Sequence, residues 1–128
     1  MKVLVVDDIR TNLMLTSRVL EKRGHEVRAV EKGTDAILEL SRDDFDLVVM
    51  DVQMPDMSGI ETARIIRNMS SNVRCHDVPI LAFSATDGGV CGMNDCLQAG
   101  MNGYLVKPMR TADFVAAIEQ YQYGEAQD

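Results

Sequence analysis

The chain has 128 residues, the size of one domain, and its 46% hydrophobic and 26% charged content suits a globular core with a polar shell. A net charge of −7 argues against direct nucleic-acid binding, which needs a basic face, and no apolar run approaches the roughly 20 residues of a membrane helix. Cys75, Cys91 and Cys96 are odd in number and lack CxxC spacing, a pattern expected of free thiols in a reducing cytoplasm.

Met1-Lys2 leads straight into an apolar run, so no signal peptide is visible. The first strand is expected over about Lys2 to Asp7, and the first helix over about Thr11 to Arg23. Leu13, Met14, Ser17, Val19 and Leu20 give that helix its inner stripe, and Gly24 ends it. A short second strand spans Glu26 to Val30. A second helix starts near Thr34, with Ala36, Ile37 and Leu40 inward. The third strand is expected over Asp46 to Met50. A loop through Pro55, Asp56, Ser58 and Gly59 follows, and Ser58 with Glu61 makes a capping box for a third helix over about Gly59 to Met69. Ser70 to Val78 reads as a long polar loop, and Pro79 to Phe83 as the fourth strand. The fourth helix is expected over about Gly89 to Ala99. Gly88, Gly89 and Gly92 predict a mobile first turn, since each helical glycine costs about 1 kcal/mol relative to alanine. Gly103 to Val106 forms the fifth strand. The last helix covers about Thr111 to Tyr121, with Phe114, Val115, Ile118 and Tyr121 on one face, before a frayed tail, Gly124 to Asp128.

Five strands alternating with five helices imply an α/β, doubly wound parallel sheet covered on both faces, here one domain over 1–123 with a tail over 124–128. Two of the apolar strands end in acids: Val3-Leu4-Val5-Val6 leads into Asp7-Asp8, and Leu47-Val48-Val49-Met50 into Asp51. If those strands are parallel neighbours, three carboxylates converge at the sheet edge where such folds bind ligands. They would need a proton or a cation between them, and oxygen donors of this kind suit Mg2+.

Val6-Asp7-Asp8, the stretch Met50-Asp51-Val52-Gln53-Met54-Pro55-Asp56-Met57-Ser58-Gly59, then Phe83-Ser84-Ala85, and finally Gly103-Tyr104-Leu105-Val106-Lys107-Pro108 together resemble the response-regulator receiver domain, in the family's order and from Lys2 to about Tyr121. The resemblance implies a flavodoxin-like sheet of strand order 2-1-3-4-5. It implies phosphorylation of Asp51 from a phosphohistidine on a histidine kinase or histidine phosphotransfer protein. In similar proteins residues placed like Asp8 and Asp51 bind Mg2+ directly, one placed like Asp7 acts largely through water, and the main-chain carbonyl at Gln53 adds a ligand. Lys107 and the Ser84 hydroxyl would hold phosphoryl oxygens as catalytic partners of Asp51, and the Lys107–Pro108 peptide is usually cis in the family. Ser84 and Tyr104 would switch the surface of helix four, strand five and helix five toward a downstream partner or attached output domain. Gln53 and Thr86 would tune phosphoryl lifetime, and neither is an acid that would favour fast hydrolysis. Kinase specificity would sit on helix one and adjoining loops. A homodimer through the switching face is left open.

By resemblance the chain is cytoplasmic and not a dedicated enzyme: it assists its own phosphoryl transfer and slow autodephosphorylation. Ile9 and Ser84 depart from the family's commoner residues, a polar residue and a threonine. Asp7 to Asn12 and Cys96 to Leu105 look most like receivers of hybrid histidine kinases, whereas the initial Met and short tail suggest a free-standing or N-terminal receiver. Plainer roles remain open: a helix cap for Asp7-Asp8 or Ser84, a solvated lysine for Lys107, a half-buried edge residue for Tyr104. Three other readings are weighed. A haloacid dehalogenase-type phosphatase would want an acid where Gln53 stands. A nucleotide or flavin module would want phosphate-cradling glycines after strand one. A receiver-shaped interaction module that is never phosphorylated is the third.

Overall fold

The computed structural model describes residues 1–55, 57–84, 93–107 and 109–122. Asp56, Thr86, Gly88, Gly89, Cys91, Gly92, Pro108 and the tail, with the expectations placed on them, lie outside the described residues.

The chain alternates β1 (Lys2–Val6), α1 (Arg10–Lys22), β2 (Glu26–Val30), α2 (Gly33–Arg42), β3 (Leu47–Met50), α3 (Gly59–Arg67), β4 (Ile80–Ser84), α4 (Met93–Gln98), β5 (Gly103–Val106) and α5 (Thr111–Glu119). The strands form one parallel sheet of order β2-β1-β3-β4-β5. After β1 the chain winds to β2 on one side and then to β3 on the other, so the winding direction reverses between β1 and β3.

Both faces of the sheet are covered, which explains why the central strands read as unbroken apolar runs. Successive side chains point to opposite faces. Leu4, Val6, Val48, Met50, Ile80 and Ala82 enter a core shared with α2, α3 and α4, while Val3, Val5, Leu47, Val49 and Leu81 enter a second core with Leu13 and Leu20 of α1 and Phe114 and Ile118 of α5. Each of these side chains other than Ala82 contributes about 1.5–3 kcal/mol on burial.

The expected elements are all present, with shifted ends. Met14, expected inside, is 49% exposed, and Thr16 is buried in its stead. Thr16 and Leu20 follow Leu13 at three and seven positions and share its face, whereas Met14 is turned about 100° away. Helix α3 stops at Arg67 rather than Met69 because Asn68 is extended (ψ 120°) and its Oδ1 accepts the Ser70 N–H. β3 begins at Leu47, after Asp46. Pro79 falls just outside β4, where its carbonyl accepts the Val48 N–H at 2.8 Å. α5 ends at Glu119, and Tyr121 still packs on the second core. Gly24 takes φ +87° beyond α1, as a helix-ending glycine should. Cys75 is an exposed free thiol, and Cys96 is buried in the first core. Among the described residues no helix is long and apolar enough to cross a membrane.

Candidate functional site

The register Val6↔Met50 brings Asp7 and Asp51, the next residues, level with each other. Backbone hydrogen bonds fix them there: Asp51 N–H donates to Val6 O at 2.9 Å and Asp7 N–H to Val30 O at 3.2 Å. One carboxylate oxygen each from Asp7, Asp8 and Asp51 lies within 4.8 Å of the others. Asp7 and Asp51 are only 4% and 7% exposed.

The three acids are not equivalent. Both oxygens of Asp7 are engaged: Oδ1 accepts the Ile9 N–H at 2.9 Å and Oδ2 accepts from Lys107 Nζ at 2.7 Å. Asp8 Oδ1 is buried with no hydrogen-bond partner among the described residues. Asp51 Oδ1 accepts a long, 3.4 Å hydrogen bond from the Gln53 N–H. Burial pushes the Asp51 carboxyl up to about 6; Lys107 opposes this, Asp7 and Asp8 add to it, and the Gln53 N–H opposes it. A buried oxygen with no partner among the described residues, beside a carboxyl whose ionisation burial disfavours, leaves the cluster short of positive charge. A divalent cation would supply it. Such a cation would fit the donor set, with Asp8 Oδ1 unpartnered among the described residues, Asp51 Oδ1 held only by the long Gln53 bond, and Asp7 committed to Lys107.

Lys107 follows β5, and its N–H donates to Ser84 O at 2.7 Å. Its ammonium lies 5.1 Å from the centroid of Phe83, whose ring stacks on Phe114 at 4.9 Å. The aromatic pair thus supports the lysine from below. Its role was not read from the sequence, because β4 is apolar on both faces and periodicity alone cannot say which face carries Phe83.

Ser84 is fully buried at the end of β4, two residues past Ala82, the partner of Met50. Gln53 is exposed beside the acids, and Tyr104 on β5 is half-buried against the first core. The β3–α3 loop is drawn tight: Gly59 N–H donates to Val52 O at 2.8 Å, and a Cβ at Gly59 would collide with the Asp51 carbonyl oxygen. Both halves of the predicted Ser58–Glu61 capping box are formed.

A sequence model described as the response regulator receiver domain matches residues 3–119. The hybrid signal transduction histidine kinase L of Dictyostelium discoideum is 34% identical over 94% of this chain and 7% of its own length. The sensor protein GacS of Pseudomonas syringae pv. syringae is 41% identical over 84% of this chain and 12% of its own. The chain therefore spans a small fraction of the curated relatives it matches. Among solved structures, the receiver domain of a sensor histidine kinase from Pseudomonas aeruginosa PAO1, with a magnesium ion coordinated in its active-site cleft, superposes with a TM-score of 0.83 at 30% identity, covering 94% of this chain and 95% of that one. Sheet order, acidic edge and a match across nearly the whole sequence agree, and the chain belongs to the response regulator receiver domain family.

Proposed function

We propose that this receiver is the phosphoacceptor of a His-Asp phosphorelay, with Asp51 as the residue phosphorylated. The observation that carries the reading is the convergence of Asp7, Asp8 and Asp51 with Lys107 held 2.7 Å from one of them. In the transfer, the P–N bond of a phosphohistidine on a histidine kinase or phosphotransfer protein breaks as a bond forms to an Asp51 oxygen. Asp8 and Asp51, with Asp7 and the Gln53 carbonyl, would hold Mg2+, which when bound supplies positive charge against carboxylate and phosphoryl oxygens. Lys107, seated over Phe83, leaves Asp7 for a phosphoryl oxygen as a compact point charge. The Ser84 hydroxyl donates to another, Tyr104 follows it, and the α4–β5–α5 face changes shape for a downstream partner or attached output. Gln53 and Thr86 govern access of water to the aspartyl phosphate and so its slow loss.

Exposed Ile9, Met14 and Leu15 beside a groove of about 330 Å3 lined in part by Lys107 and Phe83 support docking of the phosphodonor on α1. The receiver occupies residues 1–123 and works in the cytoplasm. The phosphatase reading is not favoured: an exposed Gln53 stands where that chemistry wants an acid.

The test is incubation with Mg2+ and acetyl phosphate, followed by intact-mass measurement. One base-labile phosphoryl group should be gained, and Asp51→Asn should gain none. Equal incorporation in Asp51→Asn would remove the site assignment. No incorporation from acetyl phosphate or from a phosphorylated histidine donor would leave a receiver-shaped interaction module.

A further inference from the structure

We propose that Arg67 couples the Asp51 loop to the turn between α4 and β5, through helix α3 acting as a stiff strut. The inference rests on the phosphoacceptor reading of Asp51. It concerns a different region, the opposite end of the sheet from the acids.

The two ends of this nine-residue helix are both tightly held. At its start, Gly59 lies against the Asp51 carbonyl with no room for a Cβ, and its N–H donates to Val52 O. Along its length Gly59, Ile60, Thr62, Ala63 and Ile66 are buried, so the helix cannot slide without disturbing the core. At its end Arg67 reaches three acceptors on two segments, the α4–β5 turn and the loop before β4. Nε donates to Gly100 O at 2.9 Å, Nη1 to His76 O at 2.6 Å, and Nη2 to Asn102 Oδ1 at 3.0 Å.

Those acceptors are placed to respond. Gly100 follows α4 with φ +99°, and a Cβ there would lie 2.7 Å from Arg67 Cγ, so the glycine both makes the turn and admits the arginine. Asn102 N–H donates to Ile80 O at 2.7 Å, and its Oδ1 also accepts the Ile80 N–H at 2.8 Å, locking the entry of β5 to that of β4. His76 is tied back to α3 by Nδ1 at 2.9 Å from Ile66 O. The acceptors are two carbonyls and an amide oxygen, so the contact depends on the fork geometry of the guanidinium rather than on charge pairing. Burial works against the charge of Arg67, and Asp77 and Cys75 oppose that effect. A shift of the β3–α3 loop is therefore delivered to residues 99–102 instead of being absorbed in solvent. Physical coupling requires an element with two arrangements that both ends bias, so a second arrangement is to be sought in the α4–β5 turn.

The experiment uses the full chain, nitrogen-15-labelled, titrated with beryllium fluoride in excess Mg2+ as a phosphoryl mimic. Amides of Val52 and Gln53 report occupancy of the site, and those of Ala99 to Asn102 report the response. In the unsubstituted chain both sets should shift. In Arg67→Lys, which keeps a cation and loses the fork, the Val52 midpoint should stay within twofold while the Ala99 to Asn102 shifts fall below half. Asn102→Ala, which removes one acceptor, should behave alike and serves if Arg67→Lys does not fold. Arg64→Ala, an exposed change on the same helix, should leave both readouts unaltered. A full response at Ala99 to Asn102 in Arg67→Lys and Asn102→Ala overturns the proposal. So does a loss of that response matched by a more than twofold weakening at Val52, which marks general damage, and so does an unsubstituted chain in which only Val52 and Gln53 shift. No shift at Val52 in the unsubstituted chain instead overturns the phosphoacceptor reading.

Discussion

A carboxylate held near two others, mostly out of water, must retain a proton or weaken the fold. Asp51 is pushed up to about 6 chiefly by burial, against 3.8 for an ordinary aspartate. The folded state therefore binds its proton more tightly than the unfolded chain. Without Mg2+, the Asp51 contribution to stability should be fully present below pH 4, fall as pH rises toward 6, and be absent above it. A two-unit shift corresponds to about 3 kcal/mol, and solvent screening reduces the expected span to about 1–2 kcal/mol. Urea unfolding across pH should show this slope, and Asp51→Asn should flatten it and be the more stable chain at pH 7. A second residue-scale expectation concerns Phe83. Replacing it by leucine keeps apolar bulk and removes both the stack on Phe114 and the ring below Lys107. The loss should be about 1–2 kcal/mol in chemical denaturation, with slower phosphoryl uptake. The acids were legible in the sequence because they follow apolar runs at strand ends, whereas Lys107 was picked out through the family resemblance. Phe83's supporting role was not, since it depends on which of two apolar faces meets α5.

Elements meet at points where small or charged side chains decide the fit. α2 begins at Gly33, buried against Thr62 of α3, and a Cβ there would collide with the Thr62 hydroxyl. Gly33→Ala should destabilise by about 1–3 kcal/mol as α2 is lifted from α3. Thr62→Ala in the same chain should recover part of that loss, because the two side chains share one contact. Thermal unfolding of the single and double variants measures the coupling. On the other face, Glu119 of α5 accepts from Arg23 Nη2 at 2.9 Å and lies 3.0 Å from His25 Nε2. Arg23 first, and then His25, pull the Glu119 carboxyl down to about 2 from 4.5. Its contribution is present above pH 4.5 and disappears as pH falls through 2. Glu119→Gln should therefore show less acid sensitivity between those limits, followed by circular dichroism. Glu119 lies outside the apolar stripe that identifies α5, so periodicity alone would not have indicated this tie. Helix α1 shows the same limit from inside: Leu13 and Leu20 fixed its face, but a methionine read as core points outward and a threonine points in.

The architecture as a whole was readable because unbroken apolar runs at strand length, separated by helical spacing, leave few alternatives to a covered parallel sheet. Contacts across long sequence separations were not readable. Nothing local to Arg67 announces Gly100 or Asn102, which lie 33 and 35 residues away and join it only when the sheet is assembled. Cation binding should be felt by the entire fold. At free Mg2+ a hundredfold above its dissociation constant, linkage adds about 2.7 kcal/mol and so raises the melting temperature by several degrees. Asp8→Asn, which neutralises the acid whose buried oxygen has no partner among the described residues, should abolish most of that rise in a calorimetric scan.

Strand β1 is paired on both sides, with β2 through residues 26–30 and with β3 through residues 47–50. Asp7 and Asp8 can therefore meet Asp51 only after stretches more than forty positions apart in the polypeptide have found each other. A nascent or unravelled chain has the same three acids and no place where they come together. Lys107 joins them only once the edge strand β5 is in place, so on the phosphoacceptor reading a half-made copy has no assembled pocket with which to draw phosphate away from finished ones.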